Sequence, residues 1–198
     1  SRSINEKGIY VGFKYIASKK LIFSSFYDNF AFPWAKYRIN MPSTGYDYQF
    51  RIDWKPSKTT AKYITYHHET KALNQTIISE NTHFVGFTKR NNFAIGNEFS
   101  PFPNLKFQSK FQINSYQLER QKSNFGYAII QDIEKKFRRF QTLGRLSYFK
   151  TNSWDTRIYA YENDVQFSVS FPAYYGKGIR SYLLLKFNIN PKLNLAMR

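Results

Sequence analysis

From Tyr46 to Trp54 the chain reads Tyr-Asp-Tyr-Gln-Phe-Arg-Ile-Asp-Trp, an unbroken alternation of apolar and polar side chains. Successive side chains of an extended strand leave on opposite faces, so this stretch specifies a strand with one wholly apolar face and one polar or charged face. Helical spacing cannot produce that partition. The segment Leu105-Lys106-Phe107-Gln108-Ser109-Lys110-Phe111-Gln112-Ile113-Asn114 repeats it, with Lys106, Gln108, Lys110, Gln112 and Asn114 together on the polar face. Further strands are predicted at 8–17, 21–27, 59–68, 92–99, 124–132, 139–149, 165–171 and 179–189, with an incomplete one from Leu193. Helix signals are nearly absent, and the expected fold class is an all-β, antiparallel architecture with about ten spanning strands.

Prolines punctuate this reading, because a proline cannot donate to a central ladder and belongs in turns or loops. Short turns are expected near 18–20, 55–58, 100–104, 134–137 and 190–192, alternating with long loops at 28–45, 69–91, 117–123 and 151–178. Brief turns at one end and longer loops at the other are the layout of an outer-membrane barrel. To keep that alternation, 151–178 is read as a single external excursion that contains a short β segment at 165–171.

A soluble sandwich also alternates, but it turns its apolar faces toward a shared core. Two features favour the membrane. Tyr46 and Trp54 share a face and lie roughly 26 Å apart along the strand, or about 20 Å vertically after tilting, close to the ~25 Å apolar band between aromatic girdles. The polar faces also carry Lys, Arg, Gln and Asn through mid-strand, as a wet lumen or a packed polar interior requires. Composition agrees: 42% of residues are hydrophobic and 20% are Phe, Tyr or Trp, yet mean hydropathy is −0.57. No apolar run exceeds Tyr182-Leu183-Leu184-Leu185, far short of the ~20 residues a membrane-spanning helix needs. With no cysteine, disulfides, thiolate metal sites and cysteine nucleophiles are excluded. The first residues lack an apolar signal-peptide core and an initiator Met, which suggests a mature form or a fragment. The last strand, Leu193 to Arg198, is short and lacks a terminal aromatic residue, so the expectation is a segment of a larger barrel, all of 1–198 belonging to that one domain.

Several phrases carry a resemblance. They are Asn5-Glu6-Lys7-Gly8-Ile9-Tyr10, Phe32-Pro33-Trp34 through Tyr37-Arg38 to Pro42-Ser43 and Gly45-Tyr46, and Gln131-Asp132-Ile133. The two longest are Asp155-Thr156-Arg157-Ile158-Tyr159-Ala160-Tyr161-Glu162-Asn163-Asp164 and Phe171-Pro172-Ala173-Tyr174-Tyr175-Gly176-Lys177-Gly178. Together they resemble the C-terminal β-barrel portion, short of its final strands, of Bacteroidetes-type outer-membrane proteins described as helix-hairpin-helix domain proteins. The resemblance implies a barrel in the bacterial outer membrane and assigns it no chemistry. The helical region that gives such proteins their name is absent here, so no DNA-binding role carries over.

The residues offer little for catalysis. His67-His68-Glu69 is the densest group of nitrogen ligands, but adjacent strand residues point to opposite faces, and a zinc site would need a further ligand such as His83. Asp155, Glu162 and Asp164 could offer oxygens to Ca²⁺, although neighbouring Arg157, Lys150 and Lys177 argue for ion pairing and loop ordering instead. No phosphate-cradling glycine loop or hydrolytic triad is placed, so the expectation is a non-enzymatic protein without cofactor or metal.

Thirty Lys and Arg against thirteen Asp and Glu give a net charge of +17. Basic residues interleaved with aromatics, as in Phe137-Arg138-Arg139-Phe140, loosely fit a nucleic-acid binder, and a soluble basic β-domain binding nucleic acid or another polyanion is the alternative reading. In a barrel the same alternation sends aromatics to lipid and builds an inward basic wall of Arg51, Lys106, Lys110, Arg139, Arg145, Arg180 and Lys186. Such a wall either selects anions or pairs with internal carboxylates or a plug. Recognition is expected in the loops 28–45 and 151–178, through Trp34, Tyr37, Arg38, Tyr159, Tyr161, Tyr174 and Tyr175. The reading is an outer-membrane barrel acting as a channel, transport partner or envelope-assembly scaffold. Its expected partners are the lipid bilayer and other outer-membrane or periplasmic proteins, with nucleic acid not expected for this segment.

Overall fold

The computed structural model of the chain describes residues 5–35, 39, 41–77, 82–119, 121–166, 168–190 and 193–198, with main chain only at 76–77 and 82–83. Ten strands form one antiparallel sheet. They are β1 (Lys7–Ser18), β2 (Leu21–Phe32), β3 (Ser43–Ser57), β4 (Thr60–Ile77), β5 (Thr82–Phe102), β6 (Leu105–Leu118), β7 (Asn124–Lys136), β8 (Phe140–Thr151), β11 (Lys177–Asn190) and β12 (Leu193–Met197). Two short strands, β9 (Ile158–Tyr159) and β10 (Ala173–Tyr174), pair with each other in the excursion between β8 and β11, after a single 3-10 turn at Trp154–Thr156. Every strand of the large sheet pairs with its neighbours in sequence, apart from β8, which pairs with β11 across that excursion. Among the described residues no helix is long and apolar enough to cross a membrane.

The register assigns every side chain to a face. Because Tyr48 opposes Tyr27 and His68, and Phe111 opposes Ile95 and Ile129, the apolar sets of successive strands align. Phe50, Ile52, Ile95, Phe107, Phe111, Ile129, Leu146 and Leu185 share that apolar face. The opposite face carries Arg51, Lys106, Lys110, Arg145, Arg180 and Lys186. Between described residues the ion pairs all lie on this second face or in the excursion above it, from Asp47–His67 to Arg145–Asp132.

Several expected boundaries move. Much of 69–91, expected as a long loop, is strand: the β4–β5 ladder runs without interruption from Thr60↔Phe99 to Ile77↔Thr82. The apolar alternation fades there because polar residues occupy both faces, as with Lys71, Gln75, Lys89, Arg90 and Asn91. Backbone pairing continues without it, and Thr88 Oγ1 of β5 adds a hydrogen bond to the Lys71 carbonyl of β4 at 3.0 Å. The 28–45 loop likewise shrinks to 33–42, since β2 and β3 stay paired out to Phe32↔Ser43. Among the described residues of 165–171 the β pairing is the isolated bridge from Ser170 to Glu162, and Val169 is 80% exposed. The excursion's β pairing sits instead at 158–159 and 173–174, where Ile158 and Tyr174 are buried against the sheet.

The sheet is open. β1 and β12 lie at its two edges, and both are exposed along their whole length. Each edge therefore presents a row of backbone N–H and C=O groups without a ladder partner, the template that membrane barrels remove by closure.

Candidate functional site

Residues 152–176 fold back over the charged face of β6, β7, β8 and β11 and form a strap. Its seat exists because the underlying wall is made of small residues. Ala128 is fully buried beneath it, and a Cβ on Gly126 would lie 2.6 Å from the Thr156 carbonyl oxygen. Ile158, Ala160 and Tyr174 pack with Ala128 and Ile130 into a small apolar core, where the Tyr174 ring stacks on Phe149 at 4.8 Å. Full burial of a side chain such as Ile158 contributes about 1.5–3 kcal/mol. At the strap's two ends, Asn152 N–H donates to the Phe125 carbonyl at 3.0 Å and Thr151 N–H to the Gly176 carbonyl at 2.7 Å. Gly176 turns the chain into β11 with φ of 78°, a left-handed conformation that suits glycine.

Polar side chains of the wall then grip the strap's backbone. Asn114 Nδ2 donates to the Arg157 carbonyl at 2.9 Å, Arg145 Nη1 to the Tyr161 carbonyl at 2.6 Å, and Asn163 N–H to the Tyr182 hydroxyl at 3.0 Å. Glu162 is the latch. Fully buried, it accepts from Arg180 Nε at 2.6 Å and Nη2 at 2.9 Å, from the Tyr174 hydroxyl at 3.1 Å, from Ser170 Oγ at 3.3 Å and from Arg198 Nη2. Burial alone would raise its pKa, but the hydrogen bonds from Arg180, Arg198 and Tyr174 outweigh that and bring it down to about 2. Asp164 is likewise held below the usual carboxylate range, first by the Val165 N–H and then by Arg198.

Below the strap lies a cavity of about 670 Å³, lined mainly by charged-face residues of six successive strands, β3 to β8, and by Ala160, Tyr161 and Asn163 of the strap. Much of its wall is paired charge. Arg51 grips Asp53 through two hydrogen bonds of 2.8 and 2.7 Å, Arg145 grips Asp132 at 2.5 and 2.6 Å, and Lys106 reaches Glu98 at 2.9 Å. Glu134 is held by Gln141 at 2.7 Å and Lys136 at 3.3 Å. Lys110 lies in the same wall, and its charged neighbour is another cation, Arg145.

The sequence-derived residues divide as follows. Arg51, Lys106, Lys110 and Arg145 line the cavity, Arg180 belongs to the latch, and Lys186 shares their face of the sheet. Arg139 is not among the lining residues: it lies exposed in the β7–β8 turn, one residue before β8 begins, where its carbonyl accepts from the Asn188 N–H at 2.8 Å. In the loops, Trp34 is 72% exposed, and Tyr37 and Arg38 lie outside the described residues. Tyr159 stacks on Phe171 at 5.7 Å and Tyr175 meets Trp154 edge-on at 5.3 Å, while Tyr161 borders the cavity. Tyr174 leaves the recognition set, since at 1% exposure its ring and hydroxyl are consumed by packing and by the latch. Acidic residues of the strap do form ion pairs, but Glu162 and Asp164 reach Arg180 and Arg198 rather than Arg157, Lys150 or Lys177. His67 bonds Asp47 at 2.5 Å on one face, and His68 bonds Asn91 at 2.6 Å on the other.

Sequence reasoning missed the latch because Glu162 and Arg198 are 36 residues apart and only the folded strap brings them together. The one available signal was a lone glutamate within an aromatic run, Tyr159-Ala160-Tyr161-Glu162. No protein-family model, curated protein or solved structure matches this chain.

Proposed function

We propose that the chain forms wall and internal strap of an outer-membrane β-barrel, a non-enzymatic protein acting as a channel, transport partner or envelope-assembly scaffold. One observation carries this reading: the sheet is polarised the reverse of a soluble sandwich. Large apolar side chains such as Phe50, Trp54, Ile64, Ile129, Leu146 and Leu183 are exposed on a face that no described element covers, whereas the ion pairs and the strap occupy the opposite face. An apolar surface of that extent is stable against lipid and a liability in water. The phrases resembling the barrel portion of Bacteroidetes-type helix-hairpin-helix domain proteins agree with it. Further strands, or contact between β1 and β12, would complete the cylinder that a bilayer demands.

Because the strap fills the lumen beside β6 to β11 and leaves the charged cavity beneath it, the proposed barrel is a constricted conduit, with selectivity set where the strap meets the wall. The chain expressed with an outer-membrane targeting signal should fractionate with the outer membrane, require detergent for extraction and migrate faster on gels before boiling than after. Recovery as a soluble monomer without detergent would remove the membrane reading and leave the soluble polyanion-binding domain in its place.

A further inference from the structure

We propose that the cavity under the strap binds a small organic anion, with the Lys110 ammonium as its counter-ion. The four carboxylates of the lining, Asp53, Glu98, Asp132 and Glu134, are each engaged by a cation of the wall or by its neighbour Lys136. Three lining lysines, Lys55, Lys62 and Lys110, form no ion pair among the described residues, and of these Lys110 is the one set beside Arg145. The donors of Arg145 are already committed to Asp132 and to the Tyr161 carbonyl. Two adjacent cations with one carboxylate between them leave a positive potential inside a partly enclosed space, and a low-dielectric wall focuses it onto whatever enters.

Shape and lining narrow the ligand further. A volume of about 670 Å³ falls within the range of small-molecule sites, about 300–1,000 Å³. Tyr63, Ile130, Ala160 and Tyr161 supply apolar surface, while Gln108 and Asn163 supply neutral polar groups. The combination suits a carboxylate on an aromatic or short aliphatic body better than a bare inorganic ion. Entry is from the short-turn end, because Lys55, Ala61, Glu98, Lys106 and Glu134 sit near those turns and the strap bounds the far side.

The test uses the full chain folded in detergent micelles, titrated calorimetrically with benzoate and with its neutral isostere benzamide. Benzoate should bind saturably and at least tenfold more tightly than benzamide. Lys110→Gln should weaken benzoate at least tenfold, Lys110→Arg should retain it, and Lys19→Gln, in the first turn, should leave it unchanged. Absence of saturable benzoate binding, equal binding of benzoate and benzamide, or unchanged binding in Lys110→Gln would overturn the proposal. The benzoate and benzamide comparison uses the unsubstituted chain, so it decides the matter even where a variant misfolds. Failure of the membrane reading shows separately, as solubility without detergent, since the cavity depends on the charged face and not on what covers the apolar one.

Discussion

Glu162 shows how one side chain can hold a 25-residue excursion, 152–176, against a sheet. Its carboxylate is buried with bonds from Arg180, Arg198, Tyr174 and Ser170, and its pKa of about 2 lies below the ordinary value of 4.5. The stabilisation it gives is therefore complete above about pH 4.5 and is lost as pH falls from there toward 2. Hydrogen exchange should report this directly at the Ala160 and Glu162 amides, which donate to the Pro172 and Ser170 carbonyls at 3.2 and 2.9 Å. Both should lose protection between pH 4.5 and 2. Glu162→Gln should speed their exchange at pH 7, at a cost of about 1–3 kcal/mol for the unsatisfied donors left behind. Identical exchange in variant and parent at pH 7 would show that the apolar seat holds the strap unaided.

At the scale of elements, the strap and the wall of β6 to β8 were shaped for each other. Gly126 and Ala128 clear a path on β7 along which the strap backbone can approach, and Ile158 and Tyr174 fill the space above. Gly126→Val places branched carbon where the Thr156 carbonyl now sits, 2.6 Å from the first added atom. The strap must lift. Limited proteolysis should then cleave within 152–176 at least several-fold faster than in the parent, while the strands of the large sheet stay protected; unchanged cleavage would mean that the strap is held only at its latch. The long β4–β5 hairpin illustrates the reverse case, an element made by ladder bonds with little apolar patterning beyond Thr70 and Ala72.

For the whole molecule, polarity runs across the sheet rather than from core to surface. If the apolar face meets lipid, Leu146→Arg, at a position 58% exposed on that face near mid-strand, should destabilise the folded barrel by about 2–4 kcal/mol. Cysteines placed singly at Phe50, Ile129 and Leu146 should resist a membrane-impermeant thiol reagent in intact bilayers, and cysteines at Gln108 and Gln141 should react. Equal labelling of the two sets would sink the assignment of faces to lipid and lumen. The uncovered edges of β1 and β12 belong to the same scale, because the ten-stranded sheet leaves two edges that, in lipid, only closure or further strands could satisfy.

Strand identity and facing were legible in the sequence because both follow from period-2 alternation, a property of neighbours along the chain. Tyr46 to Trp54 and Leu105 to Asn114 each fix their own two faces before any partner is known, and the ladder then aligns faces already defined. Where alternation faded, at Lys71 to Arg90, the strand was not legible, and where it persisted, at 165–171, the described residues form a bridge at Ser170 rather than the expected strand. The site lay beyond local pattern altogether. That Tyr174 is consumed by packing and that Glu162 finds Arg180 and Arg198 depend on where the strap lands. Its landing is set by the fit of buried side chains over Gly126 and Ala128, contacts between residues about 30 or more apart in the chain, which sequence spacing does not encode and only the folded packing decides.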